Sequence, residues 1–268
     1  MVTNNPNAPI GVFDSGLGGL TVLRSCLEAM PNERFVYLGD TARTPYGSKA
    51  HDTIRRYGLD CAHFLAGHQI KMLIVACNTV SAHALSDIEK EFNCPVIGTV
   101  DPAIFTALQV TKNHRYGVIG TEATIAGGVY QRGLEAVDPS AQVFAKACPL
   151  FVPLVEQGMV SDSIVDQVVE LYMAELKAAG VDSIILGCTH YPLLAGALQA
   201  YLGPDVSLVA CSDAVAAAAV ESLQLGSLGH AGGVQDVQYF VTDAADKFDG
   251  LGATLLGIKG IHATHVDL

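Results

Sequence analysis

Two short runs of residues carry groups that could do chemistry. Ala76-Cys-Asn-Thr79 and Gly187-Cys-Thr-His190 each place a cysteine directly after a short apolar segment and just before residues suited to begin a helix. A thiol there lies near helix N–H groups that have no intrahelical partner, and such groups favour the thiolate. A single cysteine is most often a small buried hydrophobe, and that reading is kept for Cys26, Cys61, Cys94, Cys148 and Cys211. Cys77 and Cys188 differ because they occupy equivalent places in two halves of the chain. If both face one ligand, a thiolate can take a proton from one side of a carbon while the opposing thiol delivers one to the other. The product of that exchange is the mirror-image stereocentre.

Other polar runs could assist. Asp14-Ser15-Gly16-Leu17-Gly18-Gly19 follows the first apolar segment. It does not match G-x-G-x-x-G, because Thr21 takes the last position, and it is not a P-loop. A tight turn that carries Asp14, Ser15 and backbone N–H groups into a cleft fits better. Asp14 is either a helix N-cap or a carboxylate that assists Cys77 or holds an ammonium group. Thr41–Gly47 is either a surface loop or a rim whose Pro45-Tyr46-Gly47 turn offers a phenol and N–H groups to an anion. Pro153–Gly158 is expected as a loop, with Glu156 either solvated or at the site. His190 stands two residues beyond Cys188, and no further ligands at suitable spacing complete a zinc site, so no metal is expected.

An alternating α/β chain would position these residues. Strands are expected at Ile10–Asp14, Arg34–Leu38, Met72–Ala76, Pro95–Thr99, Tyr116–Gly120, Gln142–Ala147, Ser183–Leu186 and Ser207–Ala210. Helical stretches fall between them: Thr21–Met30, a segment ending near His68, another ending near Phe92, Ser163–Ala179, and an Ala-rich one from Asp213. Strand-like pieces are expected in Gln235–Leu268, after a Gly-rich loop Gly226–Gly233. Gly11-Val-Phe-Asp-Ser15 matches Gly117-Val-Ile-Gly-Thr121, and Leu73-Ile-Val-Ala-Cys77 matches Ile184-Ile-Leu-Gly-Cys188. A repeat this long is a whole lobe. The expected fold is α/β: two similar lobes with mainly parallel sheets covered by helices, and an active site in the cleft between them.

Composition narrows the function classes. Half of the 268 residues are apolar and 16% are charged, ample for a packed core. The net charge of −12 argues against binding nucleic acid, which needs Lys and Arg for the phosphates. No apolar run approaches the ~20 residues that span a bilayer, and MVTNNPNAPI lacks a signal pattern, so no membrane association is expected. Seven cysteines, an odd number with no CxxC pair, read as reduced thiols of a cytoplasmic protein.

Taken in order, Phe13-Asp-Ser-Gly-Leu-Gly-Gly19, Tyr37-Leu-Gly-Asp40 with Pro45-Tyr-Gly47, Ala76-Cys-Asn-Thr79, Gly120-Thr-Glu-Ala-Thr124, Pro153-Leu-Val-Glu156 and Gly187-Cys-Thr-His-Tyr-Pro-Leu193 resemble the glutamate racemases, of the aspartate/glutamate racemase superfamily. The resemblance spans residues 10 to about 195. It implies cofactor-independent interconversion of L- and D-glutamate, supplying D-glutamate for bacterial peptidoglycan. It implies a homodimer, a first lobe over 1–99, a second over 100–210, and a segment 211–268 that completes the first. It makes Cys77 and Cys188 the acid/base pair, assisted by Asp14, Glu156 and His190. Substrate contacts would come from Asp14, Ser15, Pro45, Tyr46, Gly47, Asn78, Thr79, Thr121, Thr124, Thr189 and His190. Val100-Asp-Pro-Ala-Ile104 departs from the family's usual Glu-Pro-Gly form at the lobe junction. An aspartate- or hydantoin-directed relative, and an amino-acid-binding protein without catalysis, are the competing readings. Binding alone would not need both cysteines.

Overall fold

The computed structural model describes residues 2–3, 5–229, 235–257 and 260–268. Its strands are β1 (Ile10–Asp14), β2 (Arg34–Gly39), β3 (Met72–Val75), β4 (Val96–Ile97), β5 (Arg115–Gly120), β6 (Gln142–Ala147), β7 (Ser183–Gly187), β8 (Ser207–Ala210), β9 (Asp236–Val241) and β10 (Ala263–His265). They form two sheets, ordered β10-β9-β2-β1-β3-β4 and β6-β5-β7-β8, and every pairing is parallel. The order β2-β1-β3-β4 is repeated as β6-β5-β7-β8. The two similar lobes expected from the sequence are therefore present, and β3 and β7 hold the same place in each. Strands β9 and β10 extend the first sheet beyond β2, in register from Arg34↔Asp236 to Gly39↔Val241.

The central strands β1, β3 and β7 are buried on both faces, which explains why they lack polar alternation. Side chains alternate across a strand. Ile10 and Val12 of β1 and Ile74 of β3 therefore pack beneath the helices Leu20–Ala29 and Cys211–Leu225. Phe13, Leu73 and Val75 pack on the opposite face, beneath the helix His51–Gly67. In the second lobe Ile184 and Leu186 face the helix Ser163–Ala178, while Val118 and Ile185 face the helix Val100–Val110.

Several local expectations need correction. Phe151–Glu156 is a helix, not a loop; Pro153 lies in its first turn, where a missing N–H costs nothing. The stretch after Cys77 is two short helices, Asn78–His83 and Leu85–Glu91, broken at Ala84. The tail also holds a helix, Ala245–Leu256, between its two strands, which its glycines hide in the sequence by blurring the apolar period. The unusual Asp101-Pro102 pair sits in the first turn of Val100–Val110, a position that suits both an acid and a proline. The Gly-rich loop expected over 226–233 falls partly outside the described residues. Among the described residues no helix is long and apolar enough to cross a membrane.

Candidate active site

The carboxyl ends of β1 and β3 in one lobe, and of β5 and β7 in the other, meet across a small cavity. Cys77 follows β3 and occupies the N-cap position of Asn78–His83 with extended backbone angles. Its Sγ lies 3.5 Å from the Ser15 hydroxyl, at the end of β1. Cys188 follows β7, and its Sγ is 3.8 Å from Nδ1 of His190. Both cysteines line the cavity, with Ser15, Asn78, Thr79, Thr121, Thr189 and His190 among its other walls. The space open to a water centre there is ≈ 20 Å³, about one water molecule.

The lobes are in close contact around it. Gly18 abuts Thr189 and His190, and Gly47 abuts Thr121, so any side chain at either glycine would collide with the facing lobe. Thr21 donates its hydroxyl to the backbone carbonyls of Gly18 (2.8 Å) and Thr189 (3.1 Å), tying the first helix to the Cys188 segment. Thr79 meets Thr121 (3.1 Å) and Thr124 (3.2 Å) through their hydroxyls.

The two thiols sit in different electrostatic company. Burial, then the nearby Asp14 carboxylate, pushes Cys77 up to about 12. The Ser15 hydroxyl and the N–H groups of Val80 and Ser15 act the other way, as a helix start should, but do not overcome burial. In this closed arrangement burial outweighs the helix-start donors that favour a thiolate at Cys77. Burial also opposes a charged His190, yet Cys188, Glu156 and Asp14 together raise it to about 10. These neighbours favour the charged form of His190 beside the Cys188 sulfur. Glu156, at the end of the helix Phe151–Glu156, places Oε1 3.5 Å from His190 Nε2, and the imidazole holds its carboxyl below the ordinary value.

Asp14 is fully buried and accepts the N–H groups of Gly16 and Gly19, both at 3.0 Å. Gly19 is itself the cap of Leu20–Ala29, so Asp14 closes the turn rather than capping the helix. Its second oxygen is 3.4 Å from the Thr189 hydroxyl across the cleft. Burial raises the Asp14 carboxyl, against His190 and the turn amides.

Not every expected group faces the cavity with the expected atom. Pro45, Tyr46 and Gly47 contribute to its wall. The Tyr46 phenol, however, is buried in the first lobe and donates to Asp40, so it is not offered to a ligand. Thr124 stands behind Thr79 and Thr121, and Glu156 stands behind His190. Arg43 is engaged by Asp40 (2.6 Å) and Asp60 (2.7 Å) and lies over the Tyr57 ring.

Sequence reasoning passed over Thr44 and Val152, which complete the wall. It also passed over the group behind Asn78. The Asn78 amide contacts the Tyr130 hydroxyl at 2.7 Å and Cys211 Sγ at 3.2 Å, while its buried Oδ1 has no hydrogen-bond partner among the described residues. Cys211 could have been flagged, since it follows β8 as Cys188 follows β7; Tyr130, in mid-helix, carries no such signal. Among the described residues no three His, Cys or carboxylate groups gather as a metal site.

Comparison with known proteins agrees with this geometry. The Asp/Glu/Hydantoin racemase family model matches residues 10–221. A glutamate racemase of Geobacter metallireducens is 42% identical over 255 residues, covering 95% of this chain and 94% of its own. The structure of a glutamate racemase isoform from Bacillus anthracis superposes with a TM-score of 0.95 at 33% identity, covering 98% and 99%. That of the Francisella tularensis glutamate racemase in complex with D-glutamate gives 0.91 at 34% identity, covering 98% of each chain. The chain belongs to the Asp/Glu/Hydantoin racemase family, in its glutamate racemase group.

Proposed function

We propose that the protein interconverts L- and D-glutamate by two-base proton transfer between Cys77 and Cys188. The observation that carries this reading is the pair of thiols at matching strand ends of two similar lobes, both on the wall of one buried cavity. In one direction a thiolate takes the α-proton and the facing thiol protonates the opposite side; in the other direction the roles exchange. His190, oriented by Glu156, holds positive charge beside Cys188. Ser15 and the Val80 N–H face Cys77. Asn78, Thr79, Thr121, Thr189 and the Tyr46-Gly47 backbone supply uncharged polar groups for the carboxylates and ammonium, with Asp14 as the buried negative group. The related Francisella enzyme, solved with D-glutamate, supports glutamate as ligand.

A cavity of ≈ 20 Å³ does not admit glutamate. Substrate entry therefore requires the lobes to part, breaking contacts such as Thr79–Thr121 and Thr21–Thr189. Closure then expels water and strengthens every hydrogen bond to the substrate. The same reading divides the chain into lobes 1–99 and 100–210, with 211–268 completing the first. Independence of cofactor, D-glutamate supply for peptidoglycan, a cytoplasmic location and a homodimer belong to it as well, and rest on the family resemblance. Incubation with D-glutamate in heavy water tests the reaction: optical rotation should decay to zero with deuterium entering the α-position. Stable rotation without exchange overturns the proposal.

A further inference from the structure

His51 and His83 are 32 residues apart and play no part in the reaction just described. His51 opens the helix His51–Gly67, and His83 ends the helix that Cys77 caps. Their Nδ1 atoms approach to 3.1 Å. Two imidazole nitrogens bound to one zinc-like ion at about 2.0–2.1 Å, with tetrahedral angles, lie roughly 3.3–3.4 Å apart. A shift of a few tenths of an ångström separates the observed pair from a chelate.

The tautomer of His83 already suits a metal. Its Nε2 lies 2.8 Å from the carbonyl of Ala123, which only accepts, so Nε2 carries the proton. The Nδ1 lone pair is left to accept a hydrogen bond from His51 Nδ1, so ion binding requires the His51 proton to move to its own Nε2. Histidines that bind metals are commonly oriented in this way, by a second-nitrogen bond to a carbonyl. The ring also packs closely over Gly127, where an added Cβ would stand only 3.1 Å from its Cε1. His51 is exposed, so an ion can reach the pair and complete its shell with water. The net charge of −12 favours cations near the surface.

We propose that His51 and His83 bind one divalent ion of the imidazole-preferring class, such as Zn²⁺, Ni²⁺ or Co²⁺, at the seam between the lobes. The ion is held by two protein ligands and water. The site is separate from the cysteine cavity but mechanically linked to it. Ala123 belongs to the helix Glu122–Gly127 of the second lobe, capped by the cavity residue Thr121. The His83–Ala123 bond therefore spans the lobes, and parting them breaks it. Because that bond orients the ligand, the ion prefers the closed arrangement and opposes opening. This consequence for turnover rests on the racemase reading; ion binding itself does not.

The test is titration of the full-length, thiol-reduced protein with Co²⁺, read by calorimetry and absorption. Wild type should bind one ion without thiolate charge-transfer bands, and a Cys77→Ser/Cys188→Ser protein should bind it equally well. His51→Ala, an exposed change, should weaken binding at least about tenfold, and His83→Ala likewise. Wild-type binding retained in His51→Ala, binding lost in the double cysteine variant, or no binding by wild type overturns the site. In the racemisation assay Co²⁺ should slow wild type and leave His51→Ala unaffected; tight binding without inhibition overturns the coupling to lobe opening.

Discussion

The two cysteines occupy the same place in near-repeated sheets, yet their surroundings differ. Cys77 faces a hydroxyl, backbone N–H groups and a buried carboxylate, and burial keeps it a thiol, up at about 12. Cys188 faces an imidazole raised to about 10, which is backed by a carboxylate. A racemase needs acid and base to exchange roles, so a symmetric backbone is useful. Burial and neighbouring charge push the groups on the two sides differently, so the two half-reactions should respond differently to mutation and pH.

The largest effect tests the opposed-face arrangement. Cys77→Ser and Cys188→Ser should each cut racemisation by at least about a thousandfold, because a hydroxyl is a far weaker acid than a thiol. Each should still eliminate HCl from one enantiomer of a β-chlorinated glutamate analogue, which needs one base only. The two variants should choose opposite enantiomers; a shared preference breaks the comparison.

His190→Asn should lower kcat on the order of a hundredfold, more strongly in the direction that uses Cys188 as base. It also carries a stability signature. His190 binds its proton more tightly folded than the ordinary value of about 6.5, so its contribution is fully present below about pH 6.5. That contribution is lost as pH rises towards about 10. Denaturant unfolding of wild type should therefore weaken across this window relative to His190→Asn. Parallel pH curves would refute the charged imidazole.

Glu156→Gln removes the charge behind His190 and should cost about ten- to a hundredfold in kcat, the equivalent of a charged hydrogen bond. The alkaline limb of its rate profile should move to lower pH, which a merely structural change would not produce. The smallest contrast separates recognition from scaffolding. Thr79→Val should raise KM roughly tenfold or more. Arg43→Ala should leave KM within about twofold but cost about 1–3 kcal/mol of stability, since it strips the charge partner from buried Asp40. Steady-state kinetics and thermal melts on both variants decide this.

Much of the framework was legible before the structure. The strands expected at Met72–Ala76 and Ser183–Leu186 end within one residue of those bounds, at Val75 and Gly187, because strands buried on both faces read as short, unbroken apolar runs. The helices Val100–Val110 and Ala245–Leu256 were not legible, the first because its start at Asp101-Pro102 reads as a junction between lobes, the second because glycines interrupt it. Among the site residues, Ser15, Asn78, Thr79 and Thr189 were readable as neighbours of strand ends. Tyr46 was misread in its side chain: its turn reaches the wall, but Asp40 captures the phenol.

The sequence alone determined that two similar lobes alternate strands and helices and that each presents a cysteine where a strand hands over to a helix. Those features depend on local period and capping chemistry, which neighbouring residues carry between them. Only the tertiary structure decided which cysteine meets the imidazole and which meets the buried Asp14 carboxylate. It alone joined Asn78 to Tyr130 and Cys211, and His51 to His83. Desolvation and cross-lobe contact depend on everything packed around a group, and residues separated by tens of positions do not announce such partners along the chain.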